Sequence, residues 1–176
     1  IVEFKGVNFQ SFTDRNKLEP SIITEYLKRG SLKEILDQEK KSLTNLTWSP
    51  TKKFILLIGI ANAMKYLHKH KIIHKNLKPE NVLIDEQYCP HISDICFKPA
   101  TNLTIKGQIY MAPELLNNEE NYGQEVDVYS FAMLAYELVT GKAPFSELFA
   151  SKTADSFTKK VTEGYRPKFQ EFVPKK

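Results

Sequence analysis

The run Val126 to Thr140 is strongly apolar on all sides of a helix and is closed by Gly141. A helix with no polar face to offer solvent has to pass through a core, with other elements packed around it. Asp127 stands near its start. A second helix is announced by Ser49-Pro50, since proline suits the first helical position. Its residues Phe54, Leu57, Ile58, Ala61, Met64 and Leu67 recur at three- and four-residue steps, which predicts one buried face. Earlier still, Ser31 with Glu34 three residues on forms a capping box and predicts a helix through about Lys40.

Strand signals are fewer and mostly precede the helices. Ile1 to Val7, with the following Asn8-Phe9, alternates loosely and reads as a strand, and Ser21 to Leu27 reads as a second by its β-branched content. The polar stretch from Asn8 to Pro20 reads as their connection. Asn81 to Ile84 and His91 to Ser93 read as short strands around a turn, and residues 94–114 as irregular. The fold class expected is α+β, dominated by helix.

At 176 residues the chain has room for one domain with a real core and not for two ordinary ones. Net charge is +4, but 21 acidic residues are interspersed and the only arginines are Arg15, Arg29 and Arg166. That pattern describes a solvated surface and argues against a nucleic-acid face. The longest apolar stretch, Phe54 to Met64, is about half a bilayer span and reads as a buried helix, so no membrane role is expected. Cys89 and Cys96 are too few and wrongly spaced for a disulfide framework or a zinc site. With no signal-peptide pattern at the start, a reduced, cytoplasmic protein is expected. The chain begins at Ile1 rather than Met, which reads as part of a longer translation product.

The octapeptide His74-Lys75-Asn76-Leu77-Lys78-Pro79-Glu80-Asn81 resembles the catalytic loop of a eukaryotic protein kinase, H-R-D-x-x-x-x-N. Further matches follow in order. Asp94 falls where the D-F-G aspartate belongs, Ala112-Pro113-Glu114 matches A-P-E, and Asp127 to Phe131 resembles the start of the central C-lobe helix. Thr24 to Leu27 with Gly30-Ser31-Leu32 looks like a gatekeeper and hinge. Lys78-Pro79-Glu80-Asn81 is of the serine/threonine type, and Gly164 to Pro167 resembles a segment of tyrosine-kinase-like families.

The resemblance covers Ile1 to about Lys168 and implies one partial kinase domain over 1–176. Residues 1–27 would be a remnant of the N-lobe with the hinge, and 28–176 a C-lobe truncated before its last helices. It implies ATP with Mg2+ as cofactors. Thr24, Glu25, Leu27 and Leu83 would then meet the nucleotide base, and Asn81 and Asp94 the metal. His74 and Asp127 would tie the loop to the central helix.

Several departures cluster around the same site. Asn76 stands where the family keeps the aspartate that accepts the substrate hydroxyl's proton. A neutral amide lacks that basicity, so roughly 10²–10⁴-fold of general-base help is lost. Lys78 remains beside it. Lys75 replaces an arginine that can pair with a phosphorylated activation segment, and lysine lacks the bidentate fork. Ile95 and Cys96 replace the Phe and Gly of D-F-G, stiffening a segment that normally flips. Cys96 reads as a small filler, with a reactive thiol as the alternative. Lys106-Gly107-Gln108 stands where Gly-Thr is expected, and Thr101 and Thr104 are candidate phosphorylation sites. No glycine-rich loop and no Val-Ala-Ile-Lys-like strand occur in the chain. Glu114 is expected to be a buried carboxylate in need of a partner.

The expectation is a pseudokinase that works in signalling through protein partners. The alternatives are a slow serine/threonine kinase, whose N-lobe lies outside this chain, and a decayed fragment without function.

Overall fold

An antiparallel ribbon opens the chain, β1 (Phe4–Gln10) with β2 (Leu18–Thr24). The computed structural model describes residues 1–10, 17–41, 48–95, 105–149 and 154–169. Cys96, Thr101 and Thr104 lie outside these, as do residues 11–16 of the 8–20 connection. Both strands sit about three residues from where alternation, for the first, and β-branched content, for the second, put them. The ribbon extends into the polar stretch, and its register breaks between Asn8↔Ser21 and Gln10↔Leu18, the span that holds Pro20. Proline cannot donate to a ladder and is tolerated at such an irregularity. Leu18 and Ile22 are 78% and 73% exposed, so the ribbon is not part of the core formed by the described residues. The bond from Glu25 N–H to Glu3 O at 3.0 Å continues its ladder past Phe4↔Thr24, and that from Val2 N–H to Ile92 O at 2.9 Å ties that end to a later hairpin.

Helix α1 (Leu32–Lys40) begins as expected. Ser31 Oγ accepts from Glu34 N–H at 3.2 Å and Glu34 Oε2 accepts from Ser31 N–H at 2.7 Å. Helix α2 (Pro50–Lys69) starts at the Ser49 cap, whose side chain accepts from Lys52 N–H. Its buried face is the expected one at Met64 and Leu67 but not in the first half of the helix. Leu56, Ile60, Met64 and Leu67 are buried, whereas Phe54, Ile58 and Ala61 are exposed. Over 54–64 the helix is apolar nearly all round, so two stripes satisfy the same spacing. The choice falls to the partners that bury Leu56 to Leu67: Val82, Ile84, Ile92, Leu134 and Leu138. Gly59 marks the contact, because a Cβ there would come within 2.6 Å of Pro90 Cγ.

A 3-10 turn, Pro79–Asn81, leads into the hairpin β3 (Val82–Ile84) and β4 (Pro90–Ile92). Beyond it the structure corrects the irregular reading of 94–114, placing two single helical turns, α3 (Ile105–Gln108) and α4 (Pro113–Leu116). Turns this short carry no periodicity to detect, although Pro113 is a first-turn proline. Helix α5 (Glu125–Thr140) ends at Gly141, which takes the left-handed conformation at φ 70°. Helix α6 (Ala154–Thr162) packs Phe157 edge-on against Phe145, with ring centres 5.3 Å apart. Such a pair adds about 0.5–1.5 kcal/mol beyond area burial.

Among the described residues three apolar clusters form the interior, and α5 contributes to each: Leu134 and Leu138 to one, Met133 to the next, Val126 to the third. That is the central position its all-round apolar sequence requires.

Candidate functional site

Loop 74–81 is bolted to α5 by one carboxylate. Asp127, 1% exposed, accepts from His74 N–H and Lys75 N–H at 2.8 Å each, and its Oδ2 lies 2.8 Å from His68 Nε2. The bonds explain how Lys75 holds a left-handed backbone, φ 63°, which costs a residue with a Cβ about 1–2 kcal/mol. His68 escaped the sequence reading, because a histidine near a helix end carries no distinguishing signal.

His74 is fully buried and uses both ring nitrogens. Nε2 lies 2.9 Å from Ser93 O, and Nδ1 is 3.2 Å from the Asn76 N–H. The neutral tautomer with the proton on Nε2 satisfies both, because Nδ1 is then an acceptor. Protonating Nδ1 would set two donors against each other. Burial accordingly pushes the imidazole below its ordinary 6.5, against the opposing pull of Asp127. A depressed histidine favours the fold above its unfolded pKa, and that contribution is lost as pH falls below it. Stability is therefore expected to fall from about pH 6.5 downward, with a slope of up to roughly 1.4 kcal/mol per pH unit for one proton. Denaturant titrations from pH 7.5 to 5 check this, and His74→Gln should flatten the profile.

Asn81 and Asp94 are joined through Ser93, a residue the sequence reading did not single out. Ser93 N–H donates to Asn81 O at 2.9 Å, and its hydroxyl donates to Asp94 Oδ2 at 3.1 Å. Asn81 is buried and its Nδ2 donates to Asn76 O at 2.7 Å, which leaves Oδ1 as the side-chain atom able to meet a cation. Asp94 is exposed and held at φ 56°. One amide oxygen and one carboxylate fit magnesium carried by phosphates, which takes few protein ligands. No group of three or more His, Cys, Asp or Glu among the described residues is arranged to hold a metal on its own.

Asn76 has the backbone geometry of the loop and not its chemistry. Its N–H and C=O are held by His74 and Asn81, while the half-buried side chain is an amide. Lys78 lies beside it, its carbonyl accepting from Asn81 N–H at 2.9 Å. A space of about 10 Å³ separates residues 75–78 from Gly107, Tyr110 and Met111, room for one water at most. Gly107 thus brings backbone alone to a place where the resemblance implies a threonine.

Towards the ribbon, Leu83 lies against the turn that follows Leu27. Gly30 O accepts from Ile84 N–H at 2.9 Å and Ser31 pairs with Leu83, which sets half-buried Leu83 next to the 27–30 turn. Leu27 O accepts from Gly30 N–H at 3.1 Å. Glu25 turns its carboxylate inward, accepting from Glu3 N–H at 2.8 Å and lying 3.4 Å from His91 Nδ1. Thr24 is exposed, and its hydroxyl makes a long 3.3 Å bond to Glu25 O.

Glu114 is half-buried in the first turn of α4 rather than buried, which removes most of the expected burial cost. Nearby, Arg166 stacks on the Tyr129 ring at 5.2 Å. Burial lifts the Tyr129 hydroxyl to about 12, with the Arg166 charge opposing and Glu114 adding to the shift.

The family described as protein kinase domain matches residues 1–174. The chain is 35% identical over 161 residues to mitogen-activated protein kinase kinase kinase 13 of Homo sapiens, covering 86% of this chain and 15% of that protein. It is 34% identical over 185 residues to the serine/threonine-protein kinase VIK of Arabidopsis thaliana, covering 97% of this chain and 38% of that one. A putative serine/threonine-protein kinase/receptor, R831, of Acanthamoeba polyphaga mimivirus is 32% identical over 95% of this chain and 10% of its own length. The chain thus spans well under half the length of these relatives. No helix among the described residues is long and apolar enough to cross a membrane.

Proposed function

Since the chain belongs to the protein kinase domain family, we propose that it is a catalytically impaired member that acts in signalling by binding other proteins. The observation that carries this reading is the 74–81 loop. Asp127 of α5 accepts from its His74 and Lys75 N–H groups, the Asn81 side chain closes it on Asn76 O, and the side chain at its chemical centre is the neutral amide of Asn76. A loop that had merely decayed would not keep Asp127 engaged by three donors.

The family generally uses ATP and Mg2+. Asn81 and Asp94 supply oxygens suited to a magnesium ion, and residues 24–27 with Leu83 form the surface for the base. When bound, Mg2+ would neutralise phosphate charge. Nothing in this chain's sequence supplies the glycine-rich loop or the strand lysine that would hold those phosphates. Nucleotide binding by these 176 residues is therefore expected to be negligible.

A second reading, a slow serine/threonine kinase, draws on the retained Lys78, Asn81 and Asp94 and on the names of the relatives. Phosphoryl transfer relies mainly on positioning and charge, so a missing base does not by itself abolish it. The deciding experiment is an ATP-turnover assay on the longest native product containing this chain. No turnover above background is expected, and phosphorylation abolished by Asp94→Ala would overturn the proposal. In the 176-residue chain, Asn76→Asp is expected to stay inactive, because restoring the base leaves the phosphates unheld.

A further inference from the structure

We propose that Tyr122 is a built-in anchor for Lys75, which holds the catalytic loop in its folded geometry without any phosphate on the activation segment. This deepens the reading above, since it concerns how that same loop is regulated. Lys75 Nζ lies 5.1 Å from the centre of the Tyr122 ring, and both residues are half-buried. An ammonium over a tyrosine face at this range is attracted by the ring's quadrupole, more strongly where water is partly excluded. The ring itself is fixed. It packs on the cluster of Ala112, Leu115 and Val126, which Ile73 and Met111 also join. Tyr122 therefore joins Lys75 of the catalytic loop to the cluster formed by Ala112, Leu115 and Val126 at the start of α5.

The position of the anchor matters because Lys75 is where the loop is strained. Its φ of 63° is sustained by the Asp127 carboxylate on its N–H, and the ring on its ammonium restrains the other end of the same residue. An arginine's planar fork can stack on a ring and pair with an oxyanion together. A lysine offers one compact charge and has to leave one partner for the other. A phosphate brought to Lys75 would thus compete with Tyr122 for it, where an arginine would gain a new partner.

Hydrogen exchange at the Lys75 and Asn76 amides, measured on the full chain, tests this. Tyr122→Leu and Lys75→Met are each expected to speed exchange roughly two- to fivefold, and Tyr122→Phe, which keeps the ring face, to leave it unchanged. The double variant should be no faster than either single one. The acidic pair Thr101→Glu with Thr104→Glu should not slow exchange in the parent chain. Equal effects of Tyr122→Leu with and without Lys75→Met would overturn the anchor, reducing Tyr122 to packing. Unaltered exchange in Lys75→Met would overturn it even if Tyr122→Leu failed to fold, and slower exchange in the acidic pair would show phosphate-type ordering instead. ATP turnover by the native protein would remove the impaired-kinase reading and leave this result standing.

Discussion

Replacing Asp127 with alanine is expected to lower stability by about 3–5 kcal/mol. The carboxylate is 1% exposed and accepts from two backbone N–H groups and a histidine ring. Alanine leaves these donors without an acceptor, and the Lys75 backbone loses the bond that sustains its left-handed conformation. Each stranded buried donor costs about 1–3 kcal/mol. For a chain of this size the change corresponds to a fall in melting temperature of roughly 10 °C. Asp127→Asn keeps one good acceptor but turns an NH2 toward a second donor, so an intermediate loss of about 2 kcal/mol is expected. Chemical denaturation of the three proteins decides. A loss under 1 kcal/mol for the alanine variant would show that the loop is held elsewhere.

What could be read from the residues divides along a physical line. Local chemistry was legible: Ser31 and Glu34 satisfy each other's backbone, Pro50 opens α2, and Gly141 supplies the left-handed stop of α5. The all-round apolar character of α5 correctly required a central helix. The inward face of α2 was not legible, because Phe54 and Ile58 fit the same spacing as Leu56 and Ile60, and only the partners on β3, β4 and α5 choose between them. The loop residues around Asn76 were found by their order along the chain. Ser93 and His68, which hold that loop from elements further along or further back, have no local signature. Glu137 is a second carboxylate in the apolar run of α5, beyond Asp127, and its partners on α1 and at Tyr110 are equally distant in sequence.

Glu137 is the second large lever, and its asymmetry makes the prediction sharp. The side chain is fully buried and accepts from Tyr110 OH. Lys40 Nζ lies 3.0 Å away and Lys33 Nζ 3.7 Å. It thereby clamps α1 and the end of the activation segment to α5. Burial and the adjacent carboxylate hold the Tyr110 phenol far above its ordinary range. Burial alone would lower Lys33, but its bond to Asp37 and the field of Glu137 reverse that. The two lysines keep 29% and 36% of their side chains exposed, so they can turn to water if the anion is removed. Glu137 has no such escape. Removing both cations, in Lys33→Met with Lys40→Met, is therefore expected to cost about 3–5 kcal/mol by leaving a buried charge held by one phenol. Glu137→Gln should cost only about 1–2 kcal/mol, since the amide oxygen still accepts from Tyr110 and the lysines rehydrate. On the Glu137→Gln background the two methionines should cost under 1 kcal/mol. Urea unfolding of the four proteins measures this cycle. Equal losses from the methionine pair on both backgrounds would mean that the lysines pack against α5 without compensating its charge.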